Sequence, residues 1–271
     1  MLTDITIGQF VPGRSVLHRM DPRVKLVAVF AYIVAVFIPQ NWVGLGIAVA
    51  FLLLSMLLSQ LPLRLMLKSV KPILPLILLT SLLNIFYIEG GAVLVDWWIF
   101  RITSGGVSTA IFIAVRILCL IVGSSLLTYT TSPTALTDAL ERLMKPLTLL
   151  HVQVHEIAMM MTIALRFIPT LVEETDKILS AQKARGADME SGGLMQRIRA
   201  LIPVLIPLFV SSFRRAYELA TAMECRCYRG GDGRTRMKQL HMVAADYLTL
   251  AVVLLLYAGL IVSNILLPSV L

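Results

Sequence analysis

Residues 107–128, VSTAIFIAVRILCLIVGSSLLT, form an apolar run with a single charged side chain, Arg116. The run matches the roughly 20 residues that an α-helix needs to cross a bilayer. Four more runs of membrane-spanning character lie at 24–38, 42–59, 73–87 and 247–267. The sequence therefore predicts an all-α, polytopic membrane protein with about five transmembrane helices.

The composition of the whole chain agrees with this prediction. Hydrophobic residues make up 58% of the 271 residues, and the mean hydropathy is +0.84, whereas a soluble domain is about 45–50% apolar. Residues 1–20 lack the apolar stretch and cleavage site of a signal peptide, so we expect an uncleaved amino terminus in the cytosol. Lys25, near the start of a short first span, is expected to extend its stem to the membrane interface.

Lys and Arg residues set the expected orientation, because cytoplasmic loops of membrane proteins carry the excess of these residues. With the amino terminus inside, all but two of the 24 Lys and Arg residues are cytoplasmic. The exceptions are Arg101, in an outer loop, and Arg116, within the fourth span. The net charge of +8 is thus explained by membrane topology, and we expect no nucleic-acid partner.

Residues 130–245 break the membrane pattern, because apolar residues alternate there with dense charge of both signs. Two apolar series recur at the spacing of amphipathic helices. The first comprises Ile157, Met161, Ala164, Leu165, Ile168, Leu171, Val172, Thr175 and Leu179, and the second Ile198, Leu201, Ile202, Leu205, Ile206, Phe209, Phe213 and Tyr217. If both helices crossed the membrane, several cations between them would lie outside, against the charge rule. We therefore expect a membrane domain at 1–129 with four spans, a cytoplasmic domain at 130–245 and a final transmembrane helix at 246–271.

The two amphipathic helices end in related heptapeptides. Residues 180–186, SAQKARG, align without gaps with residues 221–227, TAMECRC. In each, an arginine stands between small residues, which let another surface approach the backbone, and its planar guanidinium matches a carboxylate. Each arginine alone would also suit the negative end of a helix dipole, but the repetition indicates a binding device built twice. The expected site residues are Ala184, Arg185, Gly186, Cys225, Arg226 and Cys227.

These heptapeptides, with LHRMDPRVKL at residues 17–26 and ECRCYRG at 224–230, resemble the T component of energy-coupling factor transporters over essentially the whole chain. The resemblance implies a multi-pass subunit of a prokaryotic cell membrane that binds two ABC-type ATPases through arginine-tipped coupling helices. It also implies a small membrane S component that binds the substrate, a vitamin or a nickel or cobalt ion. The cysteine at position 225 departs from the alanine common in that family, and it remains a small flank.

The chain has no nucleotide-binding or catalytic motif of its own. It lacks G-x-x-x-x-G-K-[ST], the loop that cradles nucleotide phosphates, so the resemblance assigns ATP and Mg²⁺ to the partner ATPases and no cofactor to this chain. The four histidines form no ligand motif, and Cys119, Cys225 and Cys227 lack the spacing of a zinc site. We expect reduced thiols and no metal site.

Two other classes of protein serve as alternatives. A self-sufficient secondary transporter would place polar, broken helices near the bilayer midplane, and a membrane-embedded enzyme would need facing catalytic groups. The predicted spans offer few polar residues for either. Arg116 is the basic residue in the middle of a span, and we expect it to pair with a carbonyl or carboxylate of a neighbouring span. Contact with a partner subunit is the alternative role for Arg116.

Overall fold

A computed structural model describes residues 10–88, 90, 92–97, 100–187, 193–231 and 240–267. Within this part the regular secondary structure is helical apart from one small antiparallel sheet, in which Trp97 lies opposite Phe100. The α-helices are α1 (Val16–Arg19), α2 (Pro22–Phe37), α3 (Trp42–Ser59), α4 (Leu63–Val70), α5 (Leu74–Tyr87), α6 (Ser104–Thr130), α7 (Pro133–Met144), α8 (Val154–Ala184), α9 (Leu194–Cys225) and α10 (Ala244–Leu266). The strands are β1 (Val93–Trp97) and β2 (Phe100–Thr103), and 3₁₀ turns occupy Lys71–Ile73 and Lys145–Leu150.

The predicted all-α, polytopic membrane class is confirmed. Among the described residues, six helical segments are long and apolar enough to cross a membrane: Trp42–Ser59, Leu63–Tyr87, Ser104–Thr130, Val154–Ala184, Ile198–Cys225 and Ala244–Leu266. Helix α2, with 16 residues, is shorter than these and corresponds to the first expected span. Length and composition thus also admit α8 and α9, which the charge rule places in the cytoplasm. The number of spans and the location of α8 and α9 stay predictions.

The contacts divide the chain into two compact units. One, called here the membrane unit, holds the described residues of Gln9–Ala139 and Gln239–Leu271, and the other, the α8–α9 unit, holds those of Leu140–Lys238. The expected domain limits at 129/130 and 245/246 stay predictions.

Helix α6 is central in the membrane unit, where it contacts α2, α3, α4 and α5, while α10 contacts α2 and α3. Its Gly123 permits close packing, because a Cβ at this position would lie 2.7 Å from Tyr32 Cε1. Tyr32 is buried there, and its hydroxyl donates to the Ala48 carbonyl at 3.2 Å. The core cluster comprises Tyr32, Ala35, Val36, Ala48, Leu52, Met66, Cys119, Leu126, Tyr129, Leu256 and Leu260.

Lys25 does not extend to the interface, so that expectation is wrong. Its residue is 5% exposed, and its ammonium donates to the Thr130 carbonyl at 2.9 Å. Thr130 ends α6, and the last carbonyls of a helix lack an intrahelical partner. The end of α6 therefore supplies an acceptor for the Lys25 ammonium inside the protein.

Helices α8 and α9 pack against each other in opposite directions. Arg215 of α9 donates to Glu174 of α8 at 2.7 Å, and Gln182 of α8 donates to the carbonyl of Pro203 in α9 at 3.3 Å. Because the residue numbers rise along α8 while they fall along α9, the two chain directions are antiparallel.

Candidate functional site

Helix α8 ends in a turn that satisfies its last carbonyls. The N–H of Gly186 donates to the Lys183 carbonyl and the N–H of Ala187 to the Gln182 carbonyl, both at 3.0 Å. This pair of bonds is the Schellman motif, which needs a left-handed residue just after the cap. Gly186 provides it with φ of +84°, and Arg185 is the cap residue immediately before it.

Helix α9 ends in the same turn at the aligned positions. The N–H of Cys227 donates to the Glu224 carbonyl at 2.8 Å, and the N–H of Tyr228 donates to the Met223 carbonyl at 3.0 Å. Cys227 has φ of +55°, and Arg226 is the cap residue. The sequence repeat is therefore also a structural repeat.

The repeat extends to the side chains that begin each heptapeptide. The Ser180 hydroxyl donates to the Asp176 carbonyl at 2.8 Å, and the Thr221 hydroxyl donates to the Tyr217 carbonyl at 2.9 Å. Both hydroxyls thus bind the carbonyl four residues earlier on their own helix. Each hydroxyl therefore donates within its own helix.

All six predicted site residues, from Ala184 to Gly186 and from Cys225 to Cys227, are exposed. Within the described part of the chain, neither Arg185 nor Arg226 has an ion-pair partner. A Cβ added at Gly186 would meet no heavy atom within 4 Å, so the backbone beside Arg185 is open. Each helix end can therefore present a guanidinium fork to a carboxylate on another protein.

The two arginines lie at distant points of the α8–α9 unit. Gln182, near the end of α8, contacts Pro203 of α9, and α9 then continues to Cys225. The helical stretch from Pro203 to Arg226 spans on the order of 30 Å. The structure thus does not bring Arg185 and Arg226 into one site, and it offers two separate contact points.

Among the described residues, one face of α9 exposes apolar side chains. Its exposed residues recur every three or four positions and form what we call the α9 stripe: Ile198, Ile202, Ile206, Phe209, Phe213 and Tyr217. Exposure of Phe213 is 72% and that of Tyr217 is 75%. Contiguous apolar surfaces of this kind mark contacts with a protein partner or with lipid.

Arg116 has a partner within the membrane unit. Its Nη2 donates to the Pro39 carbonyl at 2.5 Å, and its guanidinium carbon lies 4.9 Å from the centre of the Phe112 ring. Its Nε is buried and has no hydrogen-bond partner among the described residues. The structure thus supplies the backbone carbonyl that the sequence argument required.

The membrane unit contains a cavity of about 450 Å³. It is lined mainly by apolar side chains, and the lining residues with polar side-chain atoms are Lys25, Tyr32, Ser55, Thr130 and Thr249. A site for a polar solute needs several convergent polar groups, and the Lys25 ammonium already donates to Thr130. In the described ranges, no three His, Cys, Asp or Glu side chains group as metal ligands.

Sequence reasoning missed one buried polar cluster at the start of α2. Asp21, Arg23 and Lys25 belong to the quoted stretch LHRMDPRVKL, and Asp246 joins them from the start of α10. The alternating charges just before an apolar run were the signal in the first stretch. Asp246, the charged residue directly before the final apolar run, was the signal in the second.

Comparisons with known proteins agree on one family. The family model described as cobalt transport protein, CbiQ, matches residues 13–238. A Clostridium kluyveri protein named energy-coupling factor transporter transmembrane protein EcfT is 52% identical over 98% of both chains. Proteins of the same name from Ruminiclostridium cellulolyticum and Brevibacillus brevis are 52% and 54% identical, over 92% and 91% of this chain and 92% and 93% of theirs.

Proposed function

Since the chain belongs to the CbiQ family and is a transmembrane component of an energy-coupling factor transporter, we propose that it couples two ABC-type ATPases to a substrate-binding S component in the membrane. The observation that carries this proposal is the pair of matching helix ends. Both expose an arginine at the cap position, just before a left-handed residue. Two equivalent docking points suit two equivalent partners.

Each arginine docks on one ATPase. A guanidinium fork that meets a carboxylate in an interface provides direction as well as attraction. Arg185 and Arg226 stand on the order of 30 Å apart along the helices, so each can reach a different subunit. The small neighbours Ala184, Gly186 and Cys225 leave room for the partner surface to close around the guanidinium.

The S component packs on the α9 stripe. The stripe presents aromatic and aliphatic side chains, including Phe209 and Phe213, which match the apolar surface of another membrane protein. Docking at this stripe lets a movement of α9, driven by the ATPase at Arg226, reach the substrate-binding subunit directly.

Substrate recognition lies in the S component, and ATP with Mg²⁺ lies in the ATPases. The cavity of the membrane unit is too apolar to select a vitamin or a metal ion. The carboxylates and hydroxyls that such a substrate needs must therefore come from the partner. The chain itself is non-catalytic in this proposal.

The amino terminus, α8 and α9 lie on the cytoplasmic side of the membrane, where the α9 stripe meets the cytoplasmic face of the S component, and the chain resides in the cell membrane. This orientation places nearly all Lys and Arg residues on the cytoplasmic side. It also places both arginine-tipped helix ends where soluble ATPases can reach them.

The decisive experiment is copurification of the intact complex through a tag on this chain. Wild-type chain should retain two ATPase subunits and one small membrane protein, whereas a variant that lacks both Arg185 and Arg226 guanidinium groups should lose the ATPases. Retention of the ATPases by that double variant would contradict the proposed docking.

A further inference from the structure

We propose that the buried polar cluster of Asp21, Arg23, Lys25 and Asp246 is the joint through which movement of the α8–α9 unit reaches the membrane helices. We call these four residues the polar joint. The proposal rests on the proposed function and assigns positioning residues for transport within the membrane unit. The segment that carries both docking arginines leaves this unit within α7, the helix that follows α6, and returns to it before α10.

The polar joint holds the end of α6, which directly precedes α7, the helix in which the chain leaves the membrane unit. The Lys25 ammonium donates to the carbonyl of Thr130, the last residue of α6, at 2.9 Å. The neighbouring carbonyl, of Tyr129, accepts from the N–H of Val11 at 3.0 Å. A cation at a helix C-terminus is favoured by the helix dipole and by the free carbonyls there. The end of α6 is therefore hydrogen-bonded to Lys25 of α2 and to Val11.

The polar joint also holds the start of α10, where the chain returns. Asp246 is fully buried, and its carboxylate accepts from the N–H of Asp21 at 3.0 Å and from the N–H of Val243 at 2.8 Å. In addition, Arg23 donates to the carbonyl of Leu240 at 3.3 Å. The returning chain is thus bound on both sides of Val243.

The first turn of α2 connects the end of α6 with the start of α10. Asp21 caps α2 by accepting from the N–H of Arg23 at 2.9 Å, and its carboxylate also binds the Arg23 guanidinium at 2.6 Å. Lys25 follows one turn later on the same helix. Asp21, Lys25 and Asp246 are buried and Arg23 is partly exposed, and a buried charge is stable only when it is paired and hydrogen-bonded. The end of α6 and the start of α10 are consequently both bound to the start of α2, and they move together.

This arrangement explains why the stretch at the start of α2 carries so many charges beside an apolar span. The two covalent junctions, in α7 and before α10, are one route by which a force on Arg185 or Arg226 enters the membrane unit. If these junctions were free of each other, the force would bend the chain locally. Because α2 binds both the end of α6 and the returning chain before α10, the same force displaces α2, α6 and α10 as one body.

The test is hydrogen exchange of the intact complex in lipid nanodiscs, with and without Mg²⁺ and a non-hydrolysable ATP analogue. The variants are Lys25→Met, which keeps the stem and removes the ammonium, and Asp246→Asn, which keeps the shape and removes the charge. Lys25→Arg retains the cation, and Lys177→Met removes an exposed cation from α8 as a matched control. ATPase copurification is measured for each variant in parallel.

In the wild type and both control variants, we expect nucleotide to change exchange at the ends of α8 and α9 and also in α2 and α10. In Lys25→Met and Asp246→Asn, we expect the ATPases and the response of α8 and α9 to remain while the response of α2 and α10 is lost. An unchanged response of α2 and α10 in these two variants overturns the joint, and so does loss of their ATPases. If the wild-type chain retains no ATPases at all, the proposed function itself fails, which is a distinct result.

Discussion

Gly186 and Cys227 occupy the same position in two matching helix ends, each with a left-handed backbone, at φ of +84° and +55°. Each follows a cap arginine, and each donates its N–H to the carbonyl three residues earlier. Glycine adopts this conformation freely, whereas a residue with a Cβ pays for it in backbone strain. Gly186 therefore favours the turn that ends α8, whereas the turn that ends α9 forms although Cys227 disfavours its backbone conformation.

This difference predicts opposite effects of two substitutions. Gly186→Ala should destabilise the end of α8 by about 1–2 kcal/mol, since alanine disfavours positive φ. Cys227→Gly should stabilise the end of α9 by less than about 1 kcal/mol, since the relieved strain is offset by the entropy of glycine. Exchange rates of the Ala187 and Tyr228 amides, which close the two turns, should rise in the first variant and fall in the second. Equal rates in Gly186→Ala and wild type would contradict the argument.

The docking arginines should act as two anchors for the ATPase pair. Arg185→Ala or Arg226→Ala alone should weaken assembly by roughly 2–5 kcal/mol, because a carboxylate on the ATPase loses its ion-pair partner. That corresponds to about one and a half to three and a half decades in affinity. The double variant should lose the ATPases, since the second anchor no longer retains them. Copurification and substrate uptake measure the effect.

Two comparisons sharpen this experiment. Lysine at either position should rescue poorly, because an ammonium does not reproduce the planar fork. Arg229→Ala, three residues beyond Arg226 and also exposed, should behave as wild type. A double variant that assembles and transports as well as Arg229→Ala would reduce both arginines to ordinary helix-terminal cations.

The proposed orientation predicts which thiols are reachable from outside the cell. In this orientation the exposed Cys225 and Cys227 face the cytoplasm, and Cys119 is buried. An impermeant thiol reagent should therefore not label intact cells that carry the wild-type chain. Gly90→Cys should be labelled, because position 90 is exposed and an added Cβ meets nothing within 4 Å. After permeabilisation, Cys225 and Cys227 should react as well. Labelling of Cys225 in intact cells would reverse the orientation.

Packing around Gly123 predicts a cost for the smallest possible side chain. Gly123→Ala should destabilise the membrane unit by about 1–3 kcal/mol, because its Cβ would collide with the Tyr32 ring in the core. Gly46→Ala is the matched control in α3, since nothing lies within 4 Å of its Cβ, and it should be neutral or stabilising. Thermal unfolding in detergent compares the two, and equal midpoints would show that Tyr32 can move aside.

Arg116 should matter for stability and not for assembly. Arg116→Met leaves the Pro39 carbonyl without its donor, which should cost about 1–3 kcal/mol. Copurification of the ATPases and of the S component should be unchanged. Substitution of Arg64 by Met, at an exposed position, serves as the control. If Arg116→Met keeps its unfolding temperature and loses a membrane partner instead, the arginine serves a subunit contact.

Local sequence was sufficient for the long helices of this fold, but it did not predict the strands β1 and β2 or the short helices α1 and α7. Apolar runs long enough for a bilayer predicted the helices of the membrane unit, and helical spacing predicted α8 and α9. The gapless heptapeptides predicted that both helices end alike, because a Schellman turn depends on a few consecutive residues. For the same reason, Arg185 and Arg226 were identified before any coordinate was known.

Tertiary structure alone decided which of these residues meet. Periodicity along a helix carries no information about a partner 105 residues away, as Thr130 is for Lys25, or 225 residues away, as Asp246 is for Asp21. The sequence predicted that Lys25 extends to the interface, because a cation near the end of a transmembrane helix commonly reaches water in this way. Packing of α2 against α6 offered a free carbonyl closer by, and a buried ammonium with an acceptor needs no interface. The polar joint thus follows from the packing of three helix ends, whereas the docking arginines follow from the sequence itself.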